Sequence, residues 1–221
     1  MEMKFLKQFE KDIIVSYQRI FLCEYNKMIL VLFLILLVIY LLPVYQRPII
    51  YHNFITPEER KYIIESAKKE LSPSVVSEDR YIDDSVRKSE TAWLSREDPI
   101  VENIMMRCLK HTDRPLQNCE KLQILRYKSG GYYKPHQDAF EDDSNMRLYT
   151  FILALNDDYE GGETVFPNIG KEYKLKAGDA LFFDTLDNYE CMTSKALHGG
   201  KPVKSGEKWI CNLWVRKYPY A

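Results

Sequence analysis

The sequence predicts an α+β domain with a jelly-roll core, preceded by one N-terminal transmembrane helix. Three observations support this: an uncharged apolar run near the start, two helix-start patterns after it, and short strand-like runs separated by turns from residue 121 onward. Because the helices precede the strands, we expect them to pack on one sheet. The 221 residues are enough for one domain and an extension.

Residues 28–45 are predicted to form a membrane anchor. Met28 to Val44 is a run of 17 residues without a charge, which as a helix would extend about 26 Å, close to the thickness of a bilayer core. A buried core helix would show a polar face, and a signal peptide would be shorter and nearer the start. We therefore interpret this segment as an uncleaved anchor.

Residues 1–27 are predicted to be a cytosolic segment. Phe5, Phe9, Ile13 and Tyr17 recur at every fourth position, which favours an amphipathic helix at the membrane over a solvated tail. Five basic residues precede the anchor and only Arg47 follows it closely. The positive-inside rule then predicts a type II protein whose domain, residues 46–221, lies in the lumen or outside.

Local sequence signals predict the helices and strands in the first half of the domain. The pattern Thr56-Pro57 with Glu59 predicts a capped helix start, and Asp98-Pro99 predicts a second one. The expected elements in order are a strand over 49–55, a helix from 57 to about 71, a polar loop over 77–86, a strand over 87–94 and a helix from 99 to about 111.

From Lys121 onward nearly every run favours β-structure, because aromatic and β-branched residues alternate with glycine turns. Gly161-Gly162 and Gly178-Asp179 are predicted turns. The expected strands cover residues 121–127, 147–155, 164–166, 180–183 and 207–217.

The overall composition is that of an ordinary globular domain. The net charge of −1 shows no basic excess, so nucleic acid is not an expected partner. The spacing of Cys108 and Cys119 permits a disulfide in an oxidising lumen, although two unrelated buried thiols are an equal alternative.

His136, Asp138 and His198 form the pattern that carries chemistry. Two histidines and one carboxylate hold non-haem Fe(II) on one face and leave the other face open. His136 and Asp138 are two residues apart, so on an extended chain their side chains point the same way. A His-x-Asp pair alone is a weak signal; Lys208, ten residues after His198, adds a cation that can anchor the far carboxylate of an oxo-acid.

The alternation of the last strand supports this site. Trp209, Cys211, Leu213 and Val215 share one apolar face, which suits a packed side. The other face carries Lys208, Asn212 and Trp214, an unusual set for a core but suited to a polar pocket. Tyr127, on the expected strand of residues 121–127, is expected to place its hydroxyl in the same pocket.

The blocks around these residues resemble the prolyl 4-hydroxylases. The similar blocks are Leu122 to Tyr127 with Gly130 to Asp138, Glu160 to Pro167, Lys176 to Phe183, Leu197 to Val203, and Gly206 to Trp209. The resemblance covers about residues 49–218 and is strongest over 121–218. It implies a 2-oxoglutarate- and Fe(II)-dependent dioxygenase on a double-stranded β-helix, which uses O2 and is kept active by ascorbate. The anchor is similar to that of plant and algal members, which implies the endoplasmic reticulum or Golgi lumen.

The resemblance also implies residue roles. His136, Asp138 and His198 would bind iron, while Lys208, Tyr127 and Thr164 would bind the distal carboxylate of 2-oxoglutarate. Arg147 and Trp214 would line the peptide groove near the reacting carbon. Arg87 and Ser89 resemble the loop that closes over a proline-rich or collagen-like peptide.

The sequence departs from the family pattern in two segments, which lie on the peptide-substrate side of the site rather than at the metal. The segment of residues 139–146 is shorter than in many relatives, and Arg87-Lys88-Ser89-Glu90-Thr91 replaces the usual loop motif. A hydroxylase of lysyl or small-molecule substrates therefore stays an alternative. A catalytically silent, membrane-tethered subunit that binds peptides is a third interpretation, which the intact His-Asp-His set and Lys208 disfavour.

Overall fold

A computed structural model describes residues 2–76, 81–140 and 143–220, with side chains from Ser16 onward except those of residues 18–20. The chain divides into two compact units, residues 1–43 and residues 44–221. The first unit is the helix α1, Glu2–Tyr40. The predicted amphipathic pattern of Phe5, Phe9 and Ile13 rests on side chains that lie outside the described set.

Helix α1 contains one stretch that is long and apolar enough to cross a membrane, Phe21–Tyr40, a length of 20 residues. A signal sequence near an N-terminus passes the same test of length and composition. The stretch begins earlier than the predicted start at Met28, and the helix ends at Tyr40 rather than at residue 45.

The first half of the second unit contains two short helices. Helix α2, Pro57–Ala67, starts with a capping box in which the Thr56 side chain accepts from Glu59 N and the Glu59 carboxylate accepts from Thr56 N. Helix α3, Pro99–Leu109, starts at Asp98, whose carboxylate accepts from two backbone N–H groups. Helix α2 ends at Ala67 rather than near Leu71, because residues 68–70 form a turn.

The remaining elements are mainly short strands. They are β1 Ile49–Tyr51, β2 Ser72–Pro73, β3 Arg87–Lys88, β4 Glu90–Leu94, β5 Leu122–Tyr127, β6 Tyr132–His136, β7 Arg147–Ala154, β8 Glu160–Gly161, β9 Thr164–Phe166, β10 Lys171–Tyr173, β11 Ala180–Asp184, β12 His198–Gly200, β13 Val203–Ser205 and β14 Lys208–Arg216. The major sheet has the order β1-β11-β7-β14-β5-β4-β2, and the minor sheet has the order β10-β9-β12-β6-β3. Neighbouring strands pair antiparallel in both, and the strand β13 pairs with β8. This mixed α/β arrangement is consistent with a jelly-roll fold.

Each face of the major sheet packs against a different layer. Its outer face and the helices form one core, in which Ile63 and Ile104 pack with Phe151 and Leu213. Its inner face and the minor sheet form a second core, with Leu125, Phe166, Phe183 and Ile210 among its members. The alternation predicted for the last strand is confirmed, because odd-numbered Trp209 to Val215 join the first core.

Two local predictions differ from the structure, and one open alternative is decided by it. The run 87–94 is two strands in different sheets, because the chain crosses at Ser89, whose hydroxyl and carbonyl oxygens bond to Ser74. The strand of residues 49–55 ends at Tyr51, since Asn53 has a positive φ of 52°. Of the two alternatives for Cys108 and Cys119, the structure shows the second, two buried free thiols.

Candidate metal centre

Two neighbouring strands of the minor sheet bring the His-Asp-His set together. His136 ends β6 and His198 begins β12, and the two residues are paired directly across the ladder. Asp138 follows two residues after β6, with Oδ1 at 3.7 Å from His136 Nε2 and Oδ2 at 3.6 Å from His198 Nε2. All three candidate ligand atoms lie within 4.8 Å of one another.

Backbone carbonyl groups orient both imidazole rings. His136 Nδ1 lies 2.9 Å from the Lys134 oxygen, and His198 Nδ1 lies 3.1 Å from the Ala196 oxygen. A carbonyl can only accept, so each Nδ1 carries the proton and each Nε2 keeps its lone pair. This is the orientation that metal-binding histidines adopt, with the second nitrogen held by an outer partner.

The charges at the set favour a cation. Burial and the neighbouring His198 lower the pKa of His136 to about 3, against the opposing effect of Asp138. Burial acts to raise the pKa of Asp138, but His198, His136, Arg147 and a hydrogen bond from Thr150 together lower it to about 2. The site therefore offers a neutral imidazole at His136 and an ionised carboxylate at neutral pH, which are the forms that bind a metal.

The Asp138 carboxylate is fixed from the major sheet. Thr150, buried on β7, donates its hydroxyl to Asp138 Oδ2 at 2.7 Å. Arg147 Nη1 donates to the Asp138 backbone oxygen at 3.3 Å. The ligand is thus held by side chain and backbone together, and Thr150 is a residue that sequence reasoning missed.

Two histidines, one carboxylate and an open side fit a non-haem Fe(II) ion. Bound iron would supply a centre at which a keto-acid and O2 react side by side. The open side is a narrow pocket lined by Tyr127, Thr164, Lys208 and Asn212, besides the two histidines. The structure therefore brings together all six residues predicted for iron and 2-oxoglutarate.

Lys208 is the unusual group of this pocket. It is 5% exposed, and its Nζ donates to the Gly162 carbonyl at 2.7 Å. Among residues 2–76, 81–140 and 143–220, no carboxylate forms an ion pair with it, and burial together with Lys174 lowers its pKa to about 8. A buried ammonium group without an anion is costly, so the position of Lys208 favours the binding of an anionic group such as a carboxylate.

Two glycines allow the chain to close around the pocket. Gly162 has φ +66°, and a Cβ there would lie 3.2 Å from Lys208 Cδ. Gly199 lies so close to β6 that a Cβ would be 2.9 Å from Pro135 N. Both positions require glycine, the first for its conformation and the second for the close approach of two strands.

A buried charge cluster borders the metal set. Arg147 Nε and Nη2 donate to Glu120 at 2.6 and 3.0 Å, and Arg216 Nε donates to the same carboxylate at 2.8 Å. The Arg147 guanidinium lies 3.7 Å from the centre of the Trp214 ring. Arg147 therefore links Trp214 to the backbone of Asp138; Glu120 and Arg216 were not predicted as site residues.

Arg87 and Ser89 lie on the other side of His136. Arg87 Nε donates to Ser89 Oγ at 2.9 Å, and its guanidinium lies over the Tyr133 ring at 4.6 Å. That ring stacks on His136 with 3.6 Å between centres. Arg87 is 6% exposed, and its Nη2 has no hydrogen-bond partner in the part of the chain that the structure describes. Tyr133 was not predicted as a site residue.

Both a family model and individual relatives are similar to this chain, and both are 2-oxoglutarate- and Fe(II)-dependent oxygenases or prolyl 4-hydroxylases. The family model of the 2OG-Fe(II) oxygenase superfamily matches residues 122–216. A prolyl 4-hydroxylase homologue of Acanthamoeba polyphaga mimivirus is 34% identical over 188 residues, which cover 80% of this chain and 77% of that protein. Prolyl 4-hydroxylase 5 of Arabidopsis thaliana is 35% identical over 202 residues, covering 79% and 69%.

Solved structures show the same similarity. The viral collagen prolyl hydroxylase of Paramecium Bursaria Chlorella virus-1, in a 2OG complex, is 30% identical and superimposes with a TM-score of 0.66, covering 78% of this chain and 97% of that one. A Pseudomonas putida prolyl-4-hydroxylase is 17% identical with a TM-score of 0.57 over 77% and 92% of the two chains, a likeness of fold.

Proposed function

Because the chain belongs to the prolyl 4-hydroxylase family of 2-oxoglutarate- and Fe(II)-dependent oxygenases, we propose that it converts peptidyl proline to 4-hydroxyproline. One oxygen atom of O2 enters the C4–H bond of proline and the other enters succinate, which forms with CO2 from 2-oxoglutarate. The observation that carries this proposal is the oriented His-Asp-His set in one pocket with a buried Lys208, which has no carboxylate partner among the described residues.

We infer that His136, Asp138 and His198 hold the iron through two Nε2 atoms and one carboxylate oxygen. The carbonyl groups of Lys134 and Ala196 keep both rings in the required tautomer, and Thr150 keeps Asp138 in place. When bound, Fe(II) activates O2 together with the keto-acid. The role of the chain's own residues is to position the ligand atoms, because their hydrogen bonds hold them in place before the metal binds.

Lys208 is proposed to bind the distal carboxylate of 2-oxoglutarate, with Tyr127 and Thr164 as hydrogen-bond donors. Thr164 is 4% exposed and Tyr127 5% exposed, so this end of the pocket excludes water and strengthens the ion pair. Ascorbate, which the family uses to restore oxidised iron, is proposed on resemblance alone.

Arg147 and Trp214 are proposed to face the peptide beside the reacting carbon. The support is the contact of the Arg147 guanidinium with the Trp214 ring, together with the hydrogen bonds of Arg147 to Glu120 and to the Asp138 backbone oxygen. On the other side, Arg87 Nη2 has no hydrogen-bond partner among the described residues. We propose that it donates to a peptide carbonyl, with Ser89 fixing the direction of the guanidinium. The proposed substrate is a proline-rich or collagen-like peptide.

Succinate formation with different peptides tests the proposed substrate. We expect a proline-rich peptide to stimulate 2-oxoglutarate turnover by the full-length protein well above the level without peptide. A matched peptide with lysine in place of the target proline should not stimulate it. Stimulation by the lysine peptide alone would favour the lysyl hydroxylase, and no stimulation together with no iron binding would favour a silent subunit.

We also propose that residues 28–45 anchor a type II protein whose catalytic domain lies in the endoplasmic reticulum or Golgi lumen. The support is the apolar stretch Phe21–Tyr40 and the excess of lysine and arginine before it. Protease treatment of sealed membrane vesicles tests the orientation. The domain should survive until detergent is added; its digestion in intact vesicles would contradict the proposal.

A further inference from the structure

A second cavity of about 730 Å³ lies beside strand β4 of the major sheet, outside the pocket of the metal set. Its walls come from distant parts of the chain and include Val75, Trp93, Arg96, Glu120 and Tyr220. The volume is within the range of ligand sites, which is about 300–1,000 Å³.

This cavity and the metal pocket share one face of the sheet. Trp93 on β4 is paired with Gln123 on β5, and Gln123 is paired with Asn212 on β14. Directly paired residues project to the same side of a sheet, and Asn212 lines the metal pocket. Asn212 Nδ2 also donates to Gln123 Oε1 at 3.3 Å. The inner face therefore continues from the metal pocket to Trp93.

Aromatic contacts make a second connection. The Trp93 and Trp214 rings lie 6.2 Å apart between centres, and Trp214 packs on Arg147, which bonds the Asp138 backbone oxygen. Glu120, in the wall of the cavity, holds that same arginine. The cavity thus begins where the proposed peptide contacts end.

The walls combine two exposed rings with charges that balance, since Arg96 and Lys121 are positive and Glu97 and Glu120 are negative. Trp93 is 42% exposed and Tyr220 39% exposed, although both are large aromatic residues. Glu120 is neutralised by two arginines. Arg96 Nη1 donates to the carbonyl groups of Cys119 and Tyr220, which holds the C-terminal segment against the cavity. Such walls suit an uncharged ligand better than an anion.

We propose that this cavity, the Trp93 subsite, binds the part of a proline-rich chain that flanks the proline being hydroxylated. The inference rests on the proposed function. Polyproline II segments dock on aromatic-lined grooves because they lose little entropy on binding. Trp93 is two strand spacings from Asn212, about 10 Å, which about three residues of polyproline II span at about 3.1 Å each. The subsite therefore favours peptides that extend at least that far.

The dependence of KM on peptide length tests the subsite. For the wild-type full-length protein, a ten-residue proline-rich peptide should have a much lower KM than a tripeptide. In Trp93→Ala the ratio of the tripeptide KM to the ten-residue peptide KM should fall by about tenfold, which is the effect of one moderate interface contact. Trp93→Phe, which keeps a ring, should retain most of it. Tyr189→Ala, which removes another exposed aromatic, should match the wild type.

Direct binding separates the subsite from the reaction. The affinity of a fluorescein-labelled ten-residue peptide is measured by anisotropy, with no turnover required. Trp93→Ala and Tyr220→Ala should each weaken binding about tenfold. Equal affinity in wild type and Trp93→Ala, or no binding by the wild type, overturns the subsite. Normal binding without any hydroxylation would instead overturn the proposed function.

Discussion

Replacing His198 with alanine should abolish peptide-stimulated succinate formation and iron binding together. The set would keep two ligands instead of three, and the loss should exceed about 100-fold, since even the outer partners of a ligand are typically worth 10–100-fold. His198 makes one hydrogen bond through Nδ1, so the fold should persist. Turnover, iron content and thermal unfolding of the same preparations measure the three effects.

His52→Ala is the matched control for this variant. His52 lies outside the pocket and pairs with Asp179 with a side chain that is 68% exposed. Its removal should leave turnover and iron content at the wild-type level. If His198→Ala bound iron at the wild-type stoichiometry and still turned over, the assignment of the ligands would be wrong.

Replacing Lys208 with alanine should raise the KM for 2-oxoglutarate by about 100-fold, because breaking a buried charge pair costs at least about 2–5 kcal/mol. Iron binding should be unaffected, since Lys208 is not a ligand candidate. An oxo-acid without the distal carboxylate, such as 2-oxobutyrate, should bind wild type and variant equally. Exposed Lys176→Ala is the control, and an unchanged KM in Lys208→Ala would contradict the role of Lys208.

Lys208 also predicts a dependence on pH. Burial and, to a lesser extent, the neighbouring Lys174 lower its pKa to about 8, against the opposing effect of Glu163. The charged form binds the carboxylate, so the KM should be constant below about pH 8 and rise about tenfold per pH unit above it. Lys208→Arg should bind more weakly but show no such rise, because arginine stays charged.

The sequence predicted those parts of the site that depend on local patterns. The alternation along β14 placed Lys208 and Asn212 on the pocket side, and the Thr56 capping box was an equally local signal. The His-x-Asp spacing was ambiguous by itself. The structure explains why this spacing forms a site, because His136 on β6 is paired directly with His198 on β12.

The residues that were missed depend on long-range contacts. Strand β6 contains Pro135, which argues against a strand, but its close approach to Gly199 keeps it paired. Glu120 is 27 residues from Arg147 and 96 from Arg216, and no spacing rule links them. The Trp93 subsite combines Val75, Trp93, Glu120 and Tyr220, which only the folded chain brings together.

The most direct test of the central claim is the ratio of 4-hydroxyproline to succinate. The full-length protein is incubated with Fe(II), 2-oxoglutarate, O2 and a proline-rich peptide, and both products are quantified by mass spectrometry and amino-acid analysis. We predict one 4-hydroxyproline for nearly every succinate, and neither product above background with His198→Ala. Succinate without hydroxyproline, or a hydroxyl group on another residue, would contradict the assignment of this chain as a prolyl 4-hydroxylase.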